Sequence, residues 1–246
     1  MSDYLKRTIV KETVPSRYLP EGQRELRIFL PPGYNEILSY PVVYCQDGED
    51  FFNFGRIATQ ANKLILEEDM EPFIIVGVDV DKQKRTAEYA PDGDRHDSYV
   101  KFFVEEMIPY ISSRYSVRNE ADQIILAGDS LGATAGLHIA LQYPRRFATL
   151  ISFSGAYYPA SQEIVKGYSG SLEWLSMFMS VGLQETAYET DRGVFDFVAL
   201  NRSMKPLMEE KGAKLHYSER DGLHQWGFWQ KQVPEALHWA MQPARI

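Results

Sequence analysis

A serine between two glycines, at the junction of two apolar segments, is the feature that most constrains the fold of this chain. Residues 128–132 read Gly-Asp-Ser-Leu-Gly, with an apolar run at 123–127 before them and small, mostly apolar residues at 133–141 after them. The first run is typical of a buried strand and the second of a packed helix. A strand, this turn and a helix together are typical of a nucleophile elbow, in which the hydroxyl of Ser130 would stand clear of the backbone. The alternative interpretation is a packing turn of small residues.

Strand-like and helix-like segments alternate along the rest of the chain. We predict strands at residues 24–30, 41–46, 73–80, 124–127, 149–154 and 214–219, and helices at 62–68, 98–113, 133–141, 195–211 and 233–241. Residues 172–181 fit either a helix or a strand. Apolar strands rich in Val and Ile predict an α/β fold with a mainly parallel central sheet and helices on both faces. Since there is no internal repeat or linker, we expect one domain over residues 1–246.

Composition and charge exclude several classes of protein. A formal net charge of -8 argues against a nucleic-acid partner, because little would neutralise the phosphates. No apolar run is long enough to span a membrane, and residues 1–7 lack the apolar core of a secretory signal. Cys45 is the single cysteine, which excludes an intramolecular disulfide and a multi-cysteine metal site, and its apolar neighbours predict a core residue. We therefore expect a soluble, cytoplasmic protein without a metal.

A serine hydroxyl needs a neighbouring base to act as a nucleophile, and the chain has five histidines. His138, His216 and His238 lie inside predicted helices or strands, which favours structural roles. His96 lies in a polar loop and is a candidate to line a pocket. His224 follows the last predicted strand, at the carboxyl end where parallel sheets place their ligands, and is the predicted base. The chain order Ser…His also matches that of α/β-hydrolases.

The imidazole of such a base needs a carboxylate that orients it and stabilises its charged form. Glu185 follows an apolar segment and the Gly182 turn, between the serine and the histidine, and is the predicted acid. Glu189, Asp191 and Asp196 lie on the same acidic loop, and spacing alone does not exclude them.

Acyl transfer also requires hydrogen-bond donors for the developing oxyanion. One predicted donor is the backbone N–H of Leu131, directly after the serine. The other is expected from the loop after an early strand, where Gly48 and Glu49 are equal candidates.

These segments together resemble a known family of hydrolases over about residues 26–239. The resemblance rests on residues 43–48 (Val-Tyr-Cys-Gln-Asp-Gly), 85–89 (Arg-Thr-Ala-Glu-Tyr), 128–132, 143–147 (Tyr-Pro-Arg-Arg-Phe), 152–155 (Ser-Phe-Ser-Gly) and 224–226 (His-Gln-Trp) with Trp229. The chain resembles the putative esterase family of α/β-hydrolases, which contains enterochelin, feruloyl and acetylxylan esterases, esterase D and mycolyltransferases. The His-x-Trp-x-x-Trp ending is most similar to the enterochelin-esterase-like branch.

The resemblance implies an α/β-hydrolase fold, with the serine as nucleophile, the histidine as base and Glu185 at the position of the acid. It also places Arg85 and Glu88 on a loop that borders the site, and we expect both, with Asp47 and Trp226, to contact substrate. The sequence departs from the family pattern at two places. Ala133 stands where members often have a further glycine, and residues 186–196 are longer than in simple feruloyl esterases. The second departure leaves the acid open, with a Ser–His dyad as the alternative.

The leading hypothesis is a serine carboxylesterase that needs no cofactor and acts on a small-molecule ester through an acyl-enzyme on Ser130. A siderophore trilactone and other aryl or short-chain esters are the candidate substrates. Aromatic side chains expected near the site would stack on an aromatic acyl group, namely Tyr157, Tyr158, Tyr168, Trp174, Trp226 and Trp229. Cationic residues that would bind a ferric catecholate are Arg56, Lys82, Lys84, Arg85 and Arg95. The alternatives are an acyltransferase of the same fold and a catalytically idle binding module; a homodimer stays open.

Overall fold

The computed structural model describes residues 7–242, so the prediction of one domain over the whole chain stays a prediction. Within this range the chain forms ten strands. They are β1 (Thr8–Pro15), β2 (Gln23–Leu30), β3 (Val42–Cys45), β4 (Ile74–Val78), β5 (Ile124–Asp129), β6 (Thr149–Phe153), β7 (Ser176–Gly182), β8 (Tyr188–Thr190), β9 (Gly193–Phe195) and β10 (Lys214–Arg220).

Ten α-helices connect these strands in the same part of the chain. They are α1 (Gly48–Asn53), α2 (Ile57–Glu67), α3 (Arg85–Tyr89), α4 (His96–Lys101), α5 (Ile108–Arg114), α6 (Leu131–Gln142), α7 (Pro159–Gly167), α8 (Phe197–Glu210), α9 (Trp226–Trp229) and α10 (Val233–Ala240). A π-helical segment, Phe102–Met107, joins α4 to α5. No helix among residues 7–242 has the length and apolar character needed to cross a membrane.

Eight of the strands form one sheet in the order β1-β2-β4-β3-β5-β6-β7-β10. The six strands from β4 to β10 in this order are parallel, whereas the β1–β2 and β2–β4 pairs at one edge are antiparallel. Strands β8 and β9 form a separate antiparallel hairpin. The predicted mainly parallel sheet is therefore confirmed, and its carboxyl edge brings together the segments that follow β3, β5, β6, β7 and β10.

Both faces of the sheet are covered, as the apolar strand sequences predict. Along β5, Ile124 and Leu126 pack into one core cluster, whereas Ile125 and Ala127 pack into the other. The first cluster includes side chains of α5, α6 and α8, and the second includes those of α2 and α10. Cys45 is fully buried in the second cluster, and burial raises the pKa of its thiol, so its predicted core position is confirmed.

Segments without a clear apolar pattern were predicted less well. The ambiguous residues 172–181 include all of β7 except its last residue, and this buried strand pairs with β6 on one side and β10 on the other. Strand β1 was missed because it lies at the sheet edge, where alternating exposure allows charged residues such as Lys11 and Glu12. The hairpin β8–β9 was missed because its strands have three residues each and are largely exposed.

The two glycines of the turn between β5 and α6 are required by close backbone contact. A Cβ atom on Gly128 would lie 2.3 Å from the carbonyl carbon of Gly132. A Cβ atom on Gly132 would lie 2.8 Å from the Asp47 carboxylate and 3.1 Å from the Gln46 side chain. The strand and helix therefore cross at a separation that only glycine permits, as the Gly-x-Ser-x-Gly pattern predicts.

We predict that Gly128→Ala lowers the free energy of unfolding by about 2 kcal/mol or more, because the added methyl group overlaps backbone atoms that cannot move independently. The matched control is Gly167→Ala at the end of α7, where a Cβ atom meets nothing within 4 Å. Urea denaturation of both variants measures the difference. Equal stability of the two variants would contradict the close crossing.

Candidate active site

Ser130 occupies a strained turn at the carboxyl end of β5. Its backbone has φ 50° and ψ -121°, a conformation that non-glycine residues rarely adopt. Two hydrogen bonds hold it there, because its N–H donates to the Phe153 carbonyl (2.8 Å) and its own carbonyl accepts from the Ala156 N–H (3.0 Å). The end of β6 and the following loop therefore fix the strained turn, which directs the hydroxyl toward a cavity.

His224 lies between this hydroxyl and a buried carboxylate. Its Nε2 is 2.9 Å from Ser130 Oγ, and its Nδ1 is 2.7 Å from Glu185 Oε2. Burial lowers the pKa of His224, and the hydrogen bond and charge of Glu185 partly offset this effect. The imidazole is consequently neutral at neutral pH, so Nε2 is available to accept the serine proton when Nδ1 donates to the carboxylate.

Hydrogen bonds to the second carboxylate oxygen of Glu185, Oε1, hold its side chain in place. Its Oε1 accepts hydrogen bonds from the Gly182 N–H (2.8 Å) and from the Ser154 hydroxyl (2.7 Å). Trp229 Nε1 donates in turn to Ser154 Oγ (2.8 Å). These donors compensate for the burial of a carboxylate that is only 2% exposed, and they fix which oxygen faces His224.

The structure thus brings together Ser130, His224 and Glu185, the three residues proposed from sequence for nucleophile, base and acid. The other candidate acids lie elsewhere. Glu189 and Asp191 line the rim of the cavity, and Asp196 accepts the Ala199 N–H at the start of α8. A carboxylate therefore contacts the imidazole, in contrast to the alternative of a Ser–His dyad.

Sequence reasoning did not assign the role of Ser154. It belongs to residues 152–155, which carried the resemblance, but a short polar side chain after a strand does not reveal what it contacts. In the structure it is fully buried with φ 46°, between the candidate acid and Trp229. Trp229 was expected only as a stacking residue, and its indole N–H also stabilises this arrangement.

The predicted oxyanion donors are only partly placed at the cavity. Leu131 is the first residue of α6 and lines the cavity, and its N–H has no hydrogen-bond acceptor among the described residues. Gly48 and Glu49 begin α1 and do not line the cavity; Gly48 packs against Gly77, and the Glu49 side chain pairs with Arg27. The second oxyanion donor therefore stays a prediction.

The cavity at Ser130 has a volume of about 510 Å³ and a polar, aromatic wall. The hairpin β8–β9 supplies one side of it and is attached to the rest of the protein by Arg192–Asp92 and Thr86–Asp191 hydrogen bonds. The lining residues are Asp50, Lys82, Arg85, Thr86, Asp129, Ser130, Leu131, Tyr158, Tyr188, Glu189, Thr190, Asp191, His224, Gln225, Trp226 and Trp229.

Two of the four expected substrate-binding residues reach this cavity. Arg85 and Trp226 line it, whereas Asp47 lies behind the wall, 1% exposed, with its carboxylate held by Arg85 at 2.7 and 2.8 Å. The expectation for Glu88 is wrong. It is fully buried and paired with Arg24 at 2.7 and 2.9 Å and with Arg95 at 3.2 Å, so it has no surface to offer a substrate.

Only some of the other aromatic and cationic candidates line the cavity. Of the aromatic set, Tyr158, Trp226 and Trp229 line the cavity. Tyr157 is buried against Ser152, and Tyr168 and Trp174 border a different surface pocket. Of the cationic set, only Lys82 and Arg85 line the cavity. Lys84 and Arg95 pair with Glu21, and Arg56 lies in another pocket.

Comparison with known proteins shows the family to which the chain belongs. A family model described as "Putative esterase" matches residues 16–240. The uncharacterized protein YjcH of Bacillus subtilis is 33% identical over 232 residues, which span 94% of this chain and 96% of that protein. The chain belongs to the putative esterase family, and this membership supports an ester hydrolase.

Solved structures show the same fold. A ferulic acid esterase superposes with a TM-score of 0.81 at 18% identity, over 96% of this chain and 98% of that one. An enterobactin esterase from Shigella flexneri, solved in the presence of enterobactin, superposes with a TM-score of 0.81 at 20% identity, over 96% of this chain and 59% of that one. The fold is therefore the α/β-hydrolase fold, as the sequence resemblance implied.

We predict that Glu185→Gln lowers the pKa of His224 by about one unit or more, because the imidazolium loses its anionic partner while burial still penalises its charge. Titration of the imidazole resonances by NMR measures this shift. The control is Glu189→Gln, which removes a neighbouring carboxylate from the rim and is expected to leave the pKa of His224 unchanged. A shift in the control instead would transfer the role of acid to Glu189.

Proposed function

We propose that this protein is a serine carboxylesterase of small-molecule esters. The observation that carries the proposal is the continuous hydrogen-bonded arrangement Ser130–His224–Glu185, with the hydroxyl at the wall of a cavity. This arrangement matches the nucleophile, base and orienting acid of serine hydrolases by geometry and not only by order in the sequence. Membership of an esterase family selects esters as the acyl compounds on which it acts.

The mechanism follows from the neutral state of His224. Its Nε2 takes the proton of Ser130 as Oγ attacks the ester carbonyl, and the backbone N–H of Leu131 donates to the resulting oxyanion. The imidazolium is stabilised by Glu185 and delivers the proton to the leaving alcohol, which leaves an acyl group on the serine. Water then gives a proton to His224, attacks the acyl-enzyme and releases the acid, and the imidazolium returns the proton to Ser130.

The cavity wall favours an aryl or short-chain ester. Tyr158, Tyr188 and Trp226 offer aromatic faces beside the nucleophile, and its volume accommodates a small molecule. The structural neighbours are named for ferulic acid and enterobactin, which are two candidate substrate types for this chain. The cytoplasmic location and a homodimer stay predictions.

Two alternative functions, an idle binding module and an acyltransferase, differ from the proposed esterase in different ways. An idle binding module would not need the complete arrangement of serine, histidine and carboxylate. An acyltransferase would use the same residues but transfer the acyl group to an alcohol in preference to water. Product analysis with an added alcohol acceptor distinguishes hydrolysis from transfer.

We predict that wild-type protein hydrolyses at least one of p-nitrophenyl acetate, p-nitrophenyl butyrate, methyl ferulate and a ferric tricatecholate trilactone, and that Ser130→Ala lowers kcat about a thousandfold or more. Loss of the nucleophile removes the acyl-enzyme route while the cavity is retained. Steady-state kinetics on both proteins test this. Turnover of equal rate in the variant would contradict the proposal.

We predict that Ser154→Ala lowers kcat about tenfold with little change in KM, because Glu185 loses a hydrogen bond that fixes its orientation toward His224. The matched control is Ser152→Ala, two residues earlier and within β6, whose hydroxyl bonds Tyr157 and not the acid. Ser154→Ala removes two buried hydrogen bonds, to Glu185 and from Trp229, and the control removes one, so thermal unfolding of both variants reports the structural cost of each. A similar loss of kcat in the control would show that Ser154 has only a structural role.

A further inference from the structure

The cavity beside Ser130 contains more carboxylates than cationic groups. Its wall includes four acidic side chains, Asp50, Asp129, Glu189 and Asp191, and two basic ones, Lys82 and Arg85. The wall as a whole is therefore acidic, in agreement with the formal net charge of -8. An anionic substrate would meet a repulsive field unless the two basic side chains were free to bind it.

Neither basic side chain is free. Arg85 forms a two-point ion pair with Asp47, through its Nε at 2.7 Å and its Nη2 at 2.8 Å. Lys82 donates to Asp50, and its Nζ is also 3.7 Å from Asp47. These pairs engage both cations, so neither forms a hydrogen bond with the Asp129 carboxylate.

The buried carboxylate of Asp129 lacks a hydrogen-bond donor in the part of the chain that the structure describes. It is 5% exposed, its Oδ1 has no hydrogen-bond partner among residues 7–242, and its Oδ2 is 4.0 Å from Arg85 Nη2, too far for a hydrogen bond. Buried carboxylates are normally satisfied by several donors. Burial, together with the charge of Asp47, raises the pKa of Asp129 to about 8.

We propose that Asp129 binds a cationic ammonium group of the substrate, close to the ester carbonyl that Ser130 attacks. This inference rests on the proposed esterase function and specifies its substrate class. The ammonium group supplies the charge and donor that the carboxylate lacks, and a proton is released to solvent whenever Asp129 was protonated before binding. The aromatic faces of Tyr188 and Trp226 on the same wall add cation–π attraction.

Pairs of esters of nearly equal shape test this proposal. For the alcohol half, the pair is 2-(dimethylamino)ethyl butyrate and 3-methylbutyl butyrate; for the acyl half, it is ethyl N,N-dimethylglycinate and ethyl 3-methylbutanoate. Within each pair a protonated nitrogen replaces a CH group. The measured quantity is the ratio of kcat/KM for the cationic and neutral esters, divided by the same ratio for hydroxide hydrolysis. The catalytic residues act on both esters, so their contribution cancels.

We expect a corrected ratio of about ten or more in one of the two pairs at neutral pH, as a charge-assisted hydrogen bond provides. Asp129→Asn should bring that ratio close to one. The control Asp97→Asn removes an exposed carboxylate from α4, away from the cavity, and should leave the ratio unchanged. Wild-type ratios close to one in both pairs, or a ratio that Asp129→Asn does not change, would overturn the proposal. Absence of Ser130-dependent turnover for every ester would instead overturn the esterase function, and this inference with it.

A pH profile of wild-type protein tests the same idea without a substitution. Choline butyrate and 3,3-dimethylbutyl butyrate differ by a permanent charge and neither carries an N–H donor, so this pair tests the attraction between charges alone, and any pH dependence of their ratio belongs to the protein. The ratio should rise with pH as Asp129 ionises, because only the carboxylate attracts the cation. The charged or titratable groups that surround Asp129 are Asp47, Asp50, Lys82, Arg85 and the Cys45 thiol. A ratio independent of pH across the titration of Asp129 would contradict the proposal.

Discussion

The hydrogen-bonded series from Trp229 through Ser154, Glu185 and His224 to Ser130 is the interaction on which the rest of the site depends. Ser130, Ser154 and Glu185 follow the carboxyl ends of β5, β6 and β7, and both His224 and Trp229 follow β10. Their separations are therefore set by the spacing of neighbouring strands in the sheet. A displacement of β7 relative to β6 would separate the carboxylate from Ser154 and would reorient the imidazole.

Burial of this series has a desolvation cost, and it also strengthens the electrostatic interactions within the series. Glu185 and His224 are almost completely excluded from solvent, and an unpaired charge at either position would destabilise the fold. The hydrogen-bond donors to Glu185 Oε1 compensate for its desolvation, and the low-dielectric surroundings strengthen its interaction with His224, including the imidazolium of the proposed mechanism. Phe197 and Tyr188 pack on the ring of His224, with centroids 3.9 and 4.3 Å away, and limit its rotation.

Features encoded by local pattern were predictable from sequence. The Gly-x-Ser-x-Gly turn, the apolar strands and the polar residues directly after strand ends depend on neighbours within a few positions. For this reason Ser130, His224 and Glu185 are candidates for one site from sequence alone, and the structure places their side chains in contact. Features that depend on distant pairing were not predictable. Glu88 matched a family motif near the site, but its partner Arg24 lies on β2 and withdraws it into the interior. The unpaired state of Asp129 likewise depends on Arg85 being engaged by Asp47.

The most direct test of the central claim is the reaction of folded protein with a fluorophosphonate, followed by peptide mapping of the adduct. A fluorophosphonate reacts with serines that a neighbouring base activates, so the readout needs no knowledge of the natural substrate. We expect one adduct per chain, on Ser130. It should be lost when His224 is replaced by Gln or when the protein is denatured before labelling. Absence of an adduct in folded wild-type protein, or labelling at another serine, would contradict the assignment of this site.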